Sequence, residues 1–390
     1  MPTPTVDVKP QLLRWAIARS RIPREDLLKK IPRLAEWERG ERRPTLRQLE
    51  DFARRTMTPL GHLFLPEPPA ETLPVPDFRT KGDTPIDRPS PNLLDTIGEM
   101  LQRQAWMRDY LIELGQEPLP FVGCADKGRA VTSVAADIRA TLRLTDEWAA
   151  ELDSWEQALM RLRQVIDSAG ILIAMNGVVG NNTHRPLNPD EFRGFVLIDP
   201  YAPLIFVNNA DFKAAQMFTL AHELAHVWLG KSALFNLVQM LPDERDDEEK
   251  FCNQVAAEFL VPRKGILRLW DDAQGEANPF PVIARACKVS GLVAARRALD
   301  LGLINRRRFF DFYAREISQL AARQQQRKER SQGGDFYRTA TVRIGKRFGE
   351  AVARAVAEGR LLYRDGYRLT GLKGEAFDRF ARQTLGSGEA

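Results

Sequence analysis

The stretch Thr219-Leu-Ala-His222-Glu223-Leu-Ala-His226-Val-Trp-Leu-Gly230 decides how the middle of this chain is read. It carries H-E-x-x-H inside a run of helical character, expected from about Asp211 to Leu229 and ended by Gly230. Residues four apart share one helix face, so both imidazoles point the same way, one turn apart, as two cis ligands of a tetrahedral zinc must. Glu223 falls on the adjoining face, where a carboxylate can hold a water and take its proton. The whole chain has four histidines, and two of them stand here. The plain alternative, two core histidines packed without partners, is costly.

A catalytic zinc wants a third protein ligand and an open position. Downstream, Asp246-Asp-Glu248-Glu249-Lys-Phe-Cys-Asn253-Gln-Val-Ala-Ala-Glu258-Phe-Leu-Val-Pro262 offers carboxylates on a helix. Glu249 is the preferred ligand, Glu248 the rival one residue earlier and Glu258 the weaker choice. Asn253 lies one turn after Glu249 and is placed to hydrogen-bond a ligating imidazole. Asp246 and Asp247 read as a solvated helix start favoured by the helix dipole. His184, Arg185 and Tyr201 are candidates for stabilising an oxyanion.

Further out, Ile171–Ala174 reads as a short buried strand. Phe195–Ile198 and Leu204–Val207 flank Asp199-Pro-Tyr-Ala-Pro203 and read as a hairpin. Helices are expected over 92–114, with Asn92 as N-cap, over 146–170, over 247–260 and over 282–301. Strands first and helices after, without regular alternation, give an α+β class.

His222-Glu-Leu-Ala-His226, the later Glu249-x-x-Cys-Asn253-x-Val-Ala-Ala-Glu-Phe-Leu-Val-Pro262 and the preceding strand pair resemble the ImmA/IrrE family of zinc metallopeptidases. The resemblance covers roughly residues 160–265, with Cys252 standing where alanine is usual. It implies a zincin-like fold, His222, His226 and Glu249 as Zn2+ ligands, and Glu223 as general base. It also implies action on helix-turn-helix transcriptional repressors in mobile-element, stress or toxin–antitoxin settings.

The ends differ from the middle. Residues 1–60 hold 14 Lys/Arg against 8 Asp/Glu and residues 321–390 hold 15 against 8, leaving 28 basic and 36 acidic residues between. Basic ends suit a polyanion or an acidic partner. Near the start, helices are expected around Leu12–Ile17, over 24–30 and over 32–39, the last closed by Gly40; a fourth opens at Pro44-Thr45 with Leu46, Leu49, Phe52 and Ala53 on one face. Trp37-Glu-Arg-Gly40-Glu-Arg-Arg-Pro44-Thr-Leu-Arg-Gln-Leu49-Glu-Asp-Phe-Ala53 is similar to the end of an XRE/Cro-type helix-turn-helix. That similarity puts Arg33, Glu36 and Arg39 on a recognition face and Arg42 and Arg43 near phosphate, with DNA as the partner. The interval from Leu27 to Glu38 is several residues shorter than usual, and the alternative is an interaction module without groove reading.

The expected organisation is a helix-turn-helix domain at 1–65, a proline-rich linker at 66–91, a metallopeptidase domain at 92–322, a linker at 323–335 and a small basic module at 336–390. In that module a helix over 342–358 precedes a hairpin turning at Asp365-Gly366, and a last helix runs over 375–384. The chain shows no secretory leader, no apolar run long enough for a membrane span and three cysteines without a C-x-x-C pair, which fits a reducing cytoplasm. The leading reading is a cytoplasmic zinc endopeptidase acting on a protein regulator. The alternative is a DNA-binding regulator or antitoxin whose zincin domain senses or scaffolds; a purely structural zinc is a third.

Overall fold

The computed structural model describes residues 4–71, 89–235, 247–272, 278–328 and 336–386. These form two compact units, one holding residues up to 71 with 89–98 and the other everything described from Glu99 onward. Much of the proline-rich linker and all of 329–335 lie outside the described residues.

The first unit is built from α1 (Pro10–Ser20), α2 (Arg24–Lys30), α3 (Leu34–Arg39), α4 (Leu46–Arg55) and a short 3-10 turn at Leu60–Phe64. Leu12, Leu13, Leu27, Leu34, Trp37, Leu49 and Phe52 interlock as its core. The third helix begins at Leu34 rather than Pro32, because residues 32 and 33 are spent in the turn from α2. Thr45 and Gln48 cap α4 reciprocally, side chain to backbone in both directions. Leu46 stays largely exposed, while Leu49, Phe52 and Ala53 are buried.

Helix α5 (Pro91–Glu113) starts in the first unit and continues into the second. Its capping side chain is Ser90, whose Oγ accepts from Leu93 N at 3.1 Å, not Asn92. The second unit continues with α6 (Val131–Thr141) and α7 (Trp155–Ser168); α7 starts later than expected because Ser154 caps it and residues 145–153 turn. The strands are β1 (Leu172–Asn176), β2 (Val178–Val179), β3 (Asn182–Pro186), β4 (Gly194–Leu197), β5 (Leu204–Asn208) and β6 (Ala233–Phe235). They form a sheet ordered β1-β5-β4-β6 and a separate β2-β3 pair. The expected hairpin is present, Phe195 facing Phe206 across it with rings stacked at 4.9 Å, and β1 adds in parallel to β5.

Helix α8 (Lys213–Leu229) runs against β4 and β5, and α9 (Asp247–Leu260) lies along α8. Every residue of α8 from Gln216 to Trp228 is buried, as expected for a helix passing through a core rather than over it. Then come α10 (Arg263–Asp272), α11 (Phe280–Cys287), α12 (Gly291–Asp300) and α13 (Arg306–Lys328). The single helix expected over 282–301 is two, because Lys288 turns left-handed and Ser290 caps a new start.

The C-terminal stretch holds α14 (Phe336–Ile344), α15 (Lys346–Ala357), α16 (Tyr363–Thr370) and α17 (Glu375–Gly386), and α14 packs along β1. Two expectations are corrected here. The helix over 342–358 breaks at Gly345, whose φ of 88° and close approach to the Ile173 carbonyl leave no room for a side chain. The Asp365-Gly366 hairpin is helix α16 instead: Tyr363 and Tyr367, one turn apart, pack their rings on Phe377, and Gly366 lets Val356 and Phe377 approach. Gly345→Ala is therefore expected to destabilise the protein by about 2 kcal/mol or more through overpacking and strained φ, read as a lower melting temperature.

Candidate metal centre

Helix α8 carries His222 and His226 on one face, both buried. Helix α9 brings Glu249 to them. His222 Nε2 and His226 Nε2 are 3.1 Å apart, Glu249 Oε2 is 3.2 Å from the first and Oε1 is 3.4 Å from the second. Donors around a four-coordinate ion with bonds of about 2.05 Å stand roughly 3.3 Å apart, so the three atoms are already at ligand spacing. His222 Nδ1 meets Asn253 Oδ1 at 2.9 Å, which makes Nδ1 the protonated nitrogen and leaves the Nε2 lone pair free towards Glu249. Burial lowers the pKa of His222 against the pull of Glu249, favouring the neutral ring a metal needs. Burial alone would push the Glu249 carboxyl up, but the adjoining His222 and His226 rings hold it below the ordinary range.

The rival carboxylates are committed elsewhere. Glu248 pairs with Lys231 and, at 3.5 Å, with Lys127. Glu258 is buried in a pair with Arg297 and accepts from Arg263 N at 3.3 Å. Asp247 sits exposed at the start of α9, and Asp246 lies outside the described residues.

Glu223 is fully buried, and neither carboxylate oxygen has a hydrogen-bond partner among the described residues. Burial, with Glu249 adding to it, raises its pKa well above the ordinary value. Glu249, held ionised between the two imidazoles, puts a buried negative charge at the point where the three donors meet. The residues present therefore fit a metal ion on donor type and spacing.

Several supports leave no mark in the sequence pattern. Gly194, at the start of β4, lies against Glu223: a methyl group there would stand 2.5 Å from Thr219 Cγ2 and 3.3 Å from Glu223 Oε1. Arg193 pairs with the buried Asp211 just before α8. Arg139 donates to the carbonyls of Glu258 and Phe259 at 3.0 and 3.3 Å, and Arg297 to that of Val261 at 3.1 Å, so two buried guanidinium groups hold the C-terminal end of α9. Cys252 is fully buried and adjoins His226. Of the oxyanion candidates, His184 is exposed on β3 and Tyr201 sits in the β4–β5 turn, at the other end of the hairpin from Gly194. Asn253→Ala is expected to leave the fold intact and weaken metal binding about 10- to 100-fold, measured by competition with a chelating dye.

The residues expected to meet DNA lie in the first unit. Arg33 is exposed, Glu36 is 3.6 Å from Arg42, Arg39 holds Glu41 at 2.7 Å, and Arg43 stands 3.4 Å from Asp7.

Fold and site together set three candidate metal ligands and a buried carboxylate on an α+β scaffold. Residues 167–299 match the family model described as IrrE N-terminal-like domain, of the M78 peptidase family, which supports an ImmA/IrrE-type metallopeptidase domain. Residues 344–383 match a domain of unknown function (DUF8813). No curated protein matches the chain significantly. Among the described residues, no helix is long and apolar enough to cross a membrane.

Proposed function

We propose that the chain is a zinc-dependent endopeptidase that cuts a protein regulator, a helix-turn-helix repressor being the favoured substrate, and that its N-terminal unit couples this to DNA. The observation that carries the peptidase reading is the convergence of His222, His226 and Glu249 beside a buried, unpartnered Glu223. Zn2+ held by the three ligands would supply Lewis acidity, polarising a peptide carbonyl and acidifying a water. Glu223 takes the proton of the attacking water and passes it to the departing amine. Asn253 keeps the His222 ring turned so that Nε2 faces the ligand cluster. Exclusion of solvent around Glu223 strengthens each of these interactions.

The test is a comparison of newly formed protein N-termini in cells expressing the wild type or Glu223→Gln. New termini on a DNA-binding regulator, present only with the wild type, are the expected result. Identical termini in both strains would remove the peptidase reading. The depth of burial of His222 and Glu223 favours, as a second reading, a metal sensor or scaffold without proteolysis; under it, regulation survives Glu223→Gln.

A further inference from the structure

The first unit contains a groove of about 510 Å3 between the α2–α3 turn and α4. Lys30 comes from the end of α2 and Arg33 from the turn to α3, and Arg47, Asp51 and Arg54 come from α4, with Trp37 of α3 also lining it. The basic side chains on α3 and in the turn after it are mostly neutralised: Arg39 by Glu41, Arg42 by Glu36 and Arg43 by Asp7. Arg24, on α2, is likewise held by Glu38 of α3. The groove is different. The side chains of Lys30, Arg33 and Arg47 have no hydrogen-bonding or ion-pair partner among the described residues. Arg54 reaches Asp51 only at 3.9 Å, and Asp51 is already held by Arg55 at 2.7 Å. Trp37 is 3 % exposed, and its indole N–H is buried without an acceptor among the described residues. Thr45 and Gln48, the remaining polar groups lining the groove, are occupied in capping α4.

The groove is thus a concave set of donors with both walls cationic and its one carboxylate engaged, which calls for a ligand that brings acceptors and negative charge. We propose that it binds the sugar–phosphate backbone of DNA, and that this groove, rather than the carboxylate-lined outer face of α3, is where the unit meets nucleic acid. A phosphate between the walls takes donors from α4 on one side and from the α2–α3 turn on the other. The six-charge basic excess of residues 1–60 favours a polyanion over an isolated acidic peptide. Contacts of this kind position a duplex without reading its bases, so binding is salt-dependent and indifferent to sequence. The proposal rests on the DNA half of the proposed function and is independent of peptidase chemistry.

The experiment uses the full chain, a fluorescein-labelled duplex of about 30 base pairs and arbitrary sequence, and anisotropy titrations over a salt series. A Lys30→Ala/Arg33→Ala/Arg47→Ala variant is expected to lose at least about tenfold in affinity and to flatten the slope of log K against log salt by about 2 to 3. An Arg39→Ala/Arg42→Ala/Arg43→Ala variant is expected to stay within about threefold of the wild type, because each of those side chains has a carboxylate within 3.6 Å that offsets its charge. Loss confined to the second variant would overturn the groove and return DNA to the face of α3. No binding by the wild type would overturn both the groove and the DNA coupling, as would groove-dependent binding of poly-glutamate without DNA. Should the first variant melt early by circular dichroism, Arg47→Glu against Arg42→Glu repeats the comparison on exposed positions.

Discussion

Glu223→Gln is expected to slow peptide cleavage by about a hundred- to ten-thousandfold while the protein keeps its fold and its metal. The reason lies in the surroundings of the side chain. Glu223 is fully buried, neither of its oxygens is hydrogen-bonded among the described residues, and it is not one of the three converging ligands. Glutamine has the same size, so packing against Gly194 and Thr219 is kept and the amide removes a buried ionisable group that contributes nothing to holding α8. What disappears is the basic oxygen. Cleavage of the identified substrate, measured with metal content on the same preparation, checks both halves. Wild-type rates in a metal-loaded variant would exclude Glu223 as the base.

Gly194→Ala is expected to cost about 1 to 3 kcal/mol of stability and to lower activity by more than tenfold. The added methyl would meet Thr219 Cγ2 at 2.5 Å, the Phe206 carbonyl at 2.9 Å and Glu223 Oε1 at 3.3 Å. The first two leave little freedom, since Phe206 belongs to the paired neighbour strand and Thr219 to the buried face of α8. Relief requires β4 and α8 to part, and the proton-transfer group moves with them. Gly265→Ala in α10, with open space around it, is the control and is expected to be neutral or stabilising. Thermal melts of the pair read the stability difference directly.

The parts of the molecule that obey local pattern are visible in the residues alone. The two candidate ligand histidines are set by an i, i+4 spacing, the β4–β5 hairpin by two apolar runs around a proline-bearing turn, and Asn253 by its place one turn after Glu249. The rest depends on partners distant in sequence. The choice of Glu249 over Glu248 is made by Lys231 and Lys127, which draw Glu248 outward. The apparent hairpin at Asp365-Gly366 is a helix because Phe377 gathers two tyrosines that only helical spacing brings together, a tertiary override of a strong turn signal. The break at Gly345 answers to the Ile173 carbonyl, about 170 residues earlier. The sequence puts Arg39 on a recognition face and Arg42 and Arg43 near phosphate, yet each finds a carboxylate close by.

The central claim is that His222, His226 and Glu249 hold one metal ion, and the direct measurement is metal content by mass spectrometry on protein purified without added zinc. Wild type and Glu249→Ala are compared side by side. The account predicts about one zinc per chain in the wild type and a clear loss in the variant, since removing Glu249 leaves, among the described residues, the two imidazoles of α8 at ligand spacing. A wild type that takes up no metal even when zinc is restored, or a variant that keeps its full complement, would contradict it.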